Sequence, residues 1–274
     1  MAKTCFAIVV AAGLAIGAWG QQPQQPQAKS KKELDAFMAV RNAPDPDSRI
    51  KAAEDLLHKY ADTQFKDLAL QMETMAYQQK NDFDNMLIAG ERTLEVNPDN
   101  VGVLITLAAA IPQRTREHDL DKDEKLSKAE KYATRAQTVI PNIAKPNPQI
   151  TDDEWTGYKK SAMSQVHEAL GRIAFARKNF PAAEKSFQTA LELAPQPDAM
   201  VLYQLGLTYA AETKYDEAIG AFDRSMALGG VKVGNRDLAA EKKAAAVKAK
   251  LAGASKPAAP AGQEPPPQGE PKRP

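Results

Sequence analysis

Two blocks of this chain repeat one pattern at an offset of 35 residues. LGRIAFARKNFPAAEKSFQTALELAP starts at Leu170 and LGLTYAAETKYDEAIGAFDRSMALGG at Leu205. Leu170-Gly171 pairs with Leu205-Gly206, Ala183 with Ala218, Phe187 with Phe222 and Leu191 with Met226. The first block reads as two amphipathic helices broken once, at Asn179–Phe180. A lone helical hairpin cannot bury its apolar face, so it must stack on copies of itself. The spacing supplies the contacts. Gly171 and Gly206 remove a side chain where the first helix meets the second, Ala183 and Ala218 keep the two close, and Phe187 and Phe222 fill the groove between them. Self-similarity at this period predicts a helical solenoid.

The rest of the chain agrees with helix. Apolar residues recur at helical spacing almost throughout, no strand alternation appears, and aromatics are only 6%. Asp82 precedes one helix, FDNMLIAGERTLEV, which stops at Asn97-Pro98, and another stops at Pro141. Thr151-Asp-Asp-Glu154 is a capping box opening a long helix to about Lys178. Pro181 sits in the first turn of the next helix, where its missing N–H costs nothing, and Pro195 ends that helix. Lys+Arg is 36 and Asp+Glu is 35, so the charge balance does not call for nucleic acid.

The ends differ from the middle. MAKTCFAIVVAAGLAIGAWG has a basic start at Lys3, an uncharged apolar run and a small-x-small site at Ala18-Trp19-Gly20, the layout of a secretory signal peptide. Cleavage after Gly20 is the expectation, with an uncleaved membrane anchor as the alternative. Cys5 is the single cysteine and would leave with that segment, so no thiol would serve as nucleophile, ligand or disulfide half in the mature chain. The organisation expected is a signal peptide at 1–20, a Gln/Pro linker at 21–30 and N-terminal degenerate repeats at 31–141. A Pro-containing joint follows at 142–150, then C-terminal repeats at 151–232, a basic capping helix at 233–253 and a disordered tail at 254–274, where seven prolines crowd the last eighteen residues.

With these residues in view, the chain resembles the tetratricopeptide repeat family, whose unit is about 34 residues. Ser164–Pro197 matches at Leu170, Gly171, Ala183, Phe187, Ala190 and Pro195. Ala199–Lys232 matches at Leu205, Gly206, Tyr209, Ala218 and Phe222, with Ser225 in place of Ala and Gly230 in place of Pro. Asp67–Asn100 keeps Tyr77 and Pro98 but places Met86, Gly90 and Thr93 at the second-helix Ala, Phe and Ala. The segment from Val101 keeps Leu104, Leu107, Ala129, Ala136 and Pro141 and carries extra residues in its inter-helix turn. Glu33–Tyr60, with Ala52 and Leu56, looks like a further degenerate unit. The resemblance implies an all-α, right-handed α-solenoid of helix–turn–helix repeats whose first helices line a concave groove. Two sub-arrays are expected, packed as one superhelix or meeting at the joint.

No pattern of catalysis stands out. His58, His118 and His167 share no ligand or triad spacing, and the phosphate-loop, dinucleotide, zinc-protease and nucleophile-elbow motifs are missing from the sequence. DLDKDEKLSKAE is the one tempting stretch. Asp119, Asp121, Asp123 and Glu130 fall at calcium-loop positions 1, 3, 5 and 12, but position 6 is Glu124 where that loop needs Gly. Ala129 and Glu130 also belong to the repeat register, so acids at a helix N-terminus are the plainer reading. The basic Gln113-Arg-Thr-Arg116 is expected to pair with this acidic run. At the C-terminal end, the helix Asp237–Leu251 sets Leu238, Ala245, Val247 and Leu251 among lysines, as a solubilising cap would. Trp155 and Tyr158 serve either as packing against the preceding helix pair or as a binding anchor.

The resemblance places the peptide-binding groove at Gln71, Met75 and Gln78 in one unit, Gln165, Glu168, Arg172 and Phe175 in the next, and Met200, Tyr203 and Leu207 in the last. Glu168 beside Arg172 opposes an anion, so a clamp for a peptide's terminal carboxylate is not expected. The mixed lining suits an amphipathic peptide or helix. The expected function is an exported scaffold, periplasmic or extracellular, that binds a protein or peptide partner without catalysis or cofactor. The alternatives are a membrane-tethered envelope subunit and a metal-dependent protein using the acidic insertion.

Overall fold

A computed structural model describes residues 26–254; the expected signal peptide, the first half of the Gln/Pro linker and the C-terminal tail beyond Ala254 lie outside them. Ten helices run in antiparallel pairs: α1 (Lys31–Arg41) with α2 (Pro46–Lys59), α3 (Lys66–Gln79) with α4 (Phe83–Val96), α5 (Val101–Arg114) with α6 (Lys122–Val139), α7 (Asp152–Ala176) with α8 (Phe180–Leu193), and α9 (Ala199–Ala211) with α10 (Tyr215–Ala227). A hairpin of β1 (Lys232–Val233) and β2 (Arg236–Asp237) then leads into α11 (Leu238–Ala254), which packs on α10. The hairpin is a departure from the purely helical expectation. Its tip is Gly234, at φ +58°.

Local chemistry sets the boundaries. The side chains of Ser30, Asp45, Asp82, Asn100, Thr151, Asn179 and Asp198 each accept a backbone N–H in the first turn of the helix that follows. The expected capping box is present. Glu154 N donates to Thr151 Oγ1 at 3.2 Å, and Thr151 N donates to Glu154 Oε2 at 2.8 Å. Three inter-helix turns pass through the left-handed region at Asn81, Lys178 and Thr213.

The glycine–phenylalanine contacts read from the repeats are real. A Cβ on Gly171 would lie 2.6 Å from the Phe187 ring, and one on Gly206 2.6 Å from the Phe222 ring. Both rings are buried to 1% exposure or less. The degenerate unit reverses the arrangement. Gly90 takes the position of the phenylalanine in α4, and Leu107 from α5 fills the room, 2.8 Å from where a Cβ would stand. Thr93 at an alanine position satisfies its buried hydroxyl on the Ala89 carbonyl at 2.8 Å. Ser225 does the same on the Ala199 carbonyl at 2.7 Å, across to the first helix of its own unit.

The core runs along the stack without a gap at the Pro-containing joint. One buried cluster joins Met86 of α4, Leu104 and Leu107 of α5, Leu126 and Ala133 of α6, Ile140, and Val166, Ala169 and Ile173 of α7. The two sub-arrays thus share a core, and α5 packs along α7. Two details correct the sequence reading. In the first unit the fully buried alanine is Ala53, with Ala52 only half-buried. In α11 the packed face is Ala239 and Ala246, while Ala245, Val247 and Leu251 are exposed. Small side chains let the α11 backbone lie close against Ala218 and Phe222, which the bulkier face would prevent. Among the described residues no helix is long and apolar enough to cross a membrane.

Candidate functional site

The first helices α3, α5, α7 and α9 supply the residues of interest. The last turns of α5 and α7 and the middle of α9 enclose a cleft of about 330 Å³, lined by Pro112, Gln113, Thr115, Arg172, Phe175, Ala176, Phe187, Tyr203, Gln204 and Leu207. Four of the ten groove residues expected from sequence, Arg172, Phe175, Tyr203 and Leu207, therefore line one cleft. The local reasons are plain. Arg172 and Phe175 lie three apart and Tyr203 and Leu207 four apart, so each pair shares a helix face. Phe175 is steadied by the Phe180 ring, edge-on at 5.6 Å, and Tyr203 leans on Phe222 at 6.0 Å.

The electrostatics of the cleft are close to neutral. Arg172 Nη2 donates to Glu168 Oε1 one turn earlier on α7, so the guanidinium arrives with its counterion. Two polar atoms are left over. Arg172 Nε and Gln204 Oε1 are buried and have no hydrogen-bond partner within the protein. One is a donor and the other an acceptor, on neighbouring first helices. Burial also raises the pKa of the Tyr203 phenol and keeps it in the neutral form.

The remaining expected groove residues do not join this cleft. Gln78 lines a separate space of about 170 Å³ between α3 and α5, with Thr106 and Gln113. Gln71 accepts from Asn100 Nδ2 at 3.3 Å and braces the start of α5. Met75, Gln165 and Met200 are exposed. Sequence reasoning missed Pro112, Gln113, Thr115 and Gln204. The signal was available for the first three: the register set by Leu104 and Leu107 makes α5 a first helix, and its last turn occupies the same level as Phe175 of α7.

The acidic insertion is organised by lysines. Lys125 Nζ lies 2.9 Å from Asp121 and 3.2 Å from Asp119, whose carboxylate also accepts from Arg116 N at 3.1 Å. Glu130 pairs with Arg177 at 2.7 Å, and Asp123 is exposed. Lys125 thus holds two of the four calcium-loop candidates and Arg177 a third, and among the described residues no group of three or more His, Cys, Asp or Glu is placed to hold a metal. The expected pairing of this run with Gln113–Arg116 is replaced in part. Arg114 lies over the Phe83 ring at 5.8 Å instead, and Glu117 takes Lys122 and Lys178, which hold its pKa down to about 2. The histidines are dispersed: His58 and His118 are exposed, and burial lowers the pKa of His167 on α7. Trp155 and Tyr158 stack on each other at 4.8 Å, and Trp155 Nε1 donates to the Ile143 carbonyl at 3.3 Å, tying the joint to α7.

Family models of the tetratricopeptide repeat match residues 164–197 and 201–230, the two units that carry the glycine–phenylalanine contacts. The chain thus contains tetratricopeptide repeats in its C-terminal part. Repeats of this kind suggest a protein–protein interaction scaffold. No curated protein matches the chain. Among solved structures, a thermophilic tetratricopeptide-repeat protein of Thermus thermophilus is 16% identical over 81% of this chain and 96% of its own, with a TM-score of 0.48. MamA of AMB-1 is 18% identical over 73% of this chain and 92% of its own, with a TM-score of 0.47. A tetratricopeptide-repeat protein of Parabacteroides merdae is 12% identical over 80% of this chain and 100% of its own, with a TM-score of 0.35.

Proposed function

We propose that this chain is an exported, non-catalytic scaffold that docks a protein or peptide partner on the surface of its first helices. The observation that carries the reading is the convergence of Arg172, Phe175, Tyr203 and Leu207 on one partly apolar cleft. Clefts that hold ligands are mostly apolar with a few convergent polar groups, and this one fits that description. Export rests on the layout of residues 1–20 alone. Mass determination of the native protein tests it: a mature chain beginning at Gln21 supports export with cleavage, and an intact Met1 in the membrane fraction supports the tethered alternative. For docking, the full chain and an Arg172→Ala/Phe175→Ala variant are compared against a displayed library of random 12-residue peptides. Peptides that bind the first and not the second, at equal helicity by circular dichroism, support the reading. Peptides retained equally by both move the site elsewhere.

A further inference from the structure

Resting on the docking reading above, we propose that the cleft between α5, α7 and α9 is a subsite for an internal, uncharged stretch of partner chain: it seats one bulky apolar side chain and reads the main chain beside it through Arg172 Nε and Gln204 Oε1. The argument starts from what is unsatisfied. A buried donor or acceptor without a partner is costly, and proteins leave few of them. Here a donor and an acceptor are left together, on side chains that line one cleft. A peptide unit carries a C=O and an N–H and would supply both complements at once; because Nε and Oε1 are buried in the free protein, binding requires the Arg172 and Gln204 side chains to turn toward the cleft.

Size and charge narrow the occupant. The cleft, about 330 Å³, sits at the small end of ligand sites, which run from about 300 to 1,000 Å³. It takes one or two residues and not a folded surface. Pro112, Phe175, Ala176, Phe187 and Leu207 give it apolar walls, suited to an aromatic or leucine side chain. The Arg172–Glu168 pair removes net charge. A free carboxylate entering beside Arg172 would meet Glu168 and would have to break that pair, so the site favours a chain interior over a chain terminus.

The test uses the full chain and small probes, followed by two-dimensional amide and arginine Nε–Hε nuclear magnetic resonance. The first probe is N-acetyl-phenylalanine N-methylamide, with the apolar side chain and both main-chain groups. The second is its methyl ester, which lacks the final N–H, and the third is the free acid. We expect the amide to shift the Arg172 Nε–Hε signal and those of Gln113, Thr115 and Gln204. The ester should bind about two- to tenfold more weakly, the effect of one lost hydrogen bond, and the free acid more weakly still. Gln204→Leu should raise the melting temperature of the free protein, because it removes an unsatisfied acceptor, while erasing the preference for amide over ester. The proposal is overturned if the free acid binds best, if amide and ester bind alike, or if no probe perturbs the cleft. In the last case, library peptides that still shift Gln71 and Met75 leave the docking reading standing, whereas peptides that bind nowhere on the first helices remove both.

Discussion

The Gly171–Phe187 contact offers the sharpest check on how this stack is held. Phe187 lies at 1% exposure in a cluster with Ala183, Ala190, Val201 and Leu205. Replacing Gly171 with Ala puts a methyl 2.6 Å from both Cδ1 and Cε1 of that ring. Carbon atoms prefer about 3.5–4.0 Å, so the ring or one helix must retreat by roughly 1 Å. Overpacking of that kind costs about 1–3 kcal/mol. It is opposed by helix propensity, which favours Ala over Gly by about 1 kcal/mol. A second glycine on the same helix separates the two effects. A Cβ at Gly157 meets nothing within 4 Å, so Gly157→Ala should gain the propensity alone, about 1 kcal/mol. The gap between the two variants is then the packing cost itself, about 1–3 kcal/mol. Urea unfolding followed by circular dichroism measures it. If the ring is the cause, Gly171→Ala/Phe187→Leu will lose less than the sum of its single variants by about 1 kcal/mol or more. Gly171→Ala as stable as Gly157→Ala would refute the account of why the repeat keeps its glycine.

Three further perturbations have defined outcomes. Thr213 holds a β-branched residue at φ +61°, a conformation that costs an L-residue about 1–2 kcal/mol; Thr213→Gly should stabilise by about 0.5–1 kcal/mol after the entropy of glycine is subtracted, read as a rise in melting temperature. Glu33 is 1% exposed and its carboxylate accepts from Thr63 Oγ1 and Lys29 N, both at 2.6 Å; Glu33→Ala strands both donors and should cost about 2–4 kcal/mol, with Thr63→Val costing less in the same unfolding assay. Glu73 is 2% exposed, with Arg92 3.6 Å away, and burial raises its pKa; the folded state holds this proton more tightly than the unfolded chain does, so the Glu73 contribution is present below the ordinary carboxylate range and is lost as pH rises through the folded value. Unfolding from pH 4 to 8 should show that fall in the wild type and a flatter profile in Glu73→Gln; identical slopes would show that the residue does not sense burial.

How far the sequence reached depended on which contacts are local. Caps, breaks and the glycine–phenylalanine pairs act within one hairpin, and Thr151/Glu154, Pro181 and Gly171 were readable from spacing. The degenerate units were harder because their compensations come from a neighbour: nothing in FDNMLIAGERTLEV says that Leu107 will fill the space beside Gly90. The α11 face was misread for a related reason. Leu238, Val247 and Leu251 mark an apolar stripe, but close approach to α10 selects Ala239 and Ala246. The lining of the candidate cleft was half visible. Positions carried over one unit at a time located Arg172, Phe175, Tyr203 and Leu207, while Gln113 and Thr115 enter only because α5 and α7 lie side by side across the joint.

That juxtaposition follows from where the extra residues go. The lengthened turn between α5 and α6 does not push the repeats apart, because it moves outward and is fastened to the next unit at its own turn. Glu117 in the insertion reaches Lys178 between α7 and α8 at 2.6 Å, and Arg177 reaches Glu130 and Ser127 in the first half of α6. At the other end Lys159 Nζ donates to the Pro141 carbonyl at 2.7 Å and Trp155 holds Ile143. The polar ties sit at both ends of the α6–α7 contact, and the apolar core from Leu104 to Ile173 runs between them. Exposed ion pairs add little stability singly, so the shared core does the holding and the ties fix the register of one unit on the next. A continuous face of first helices results, and the cleft draws residues from both sides of the joint.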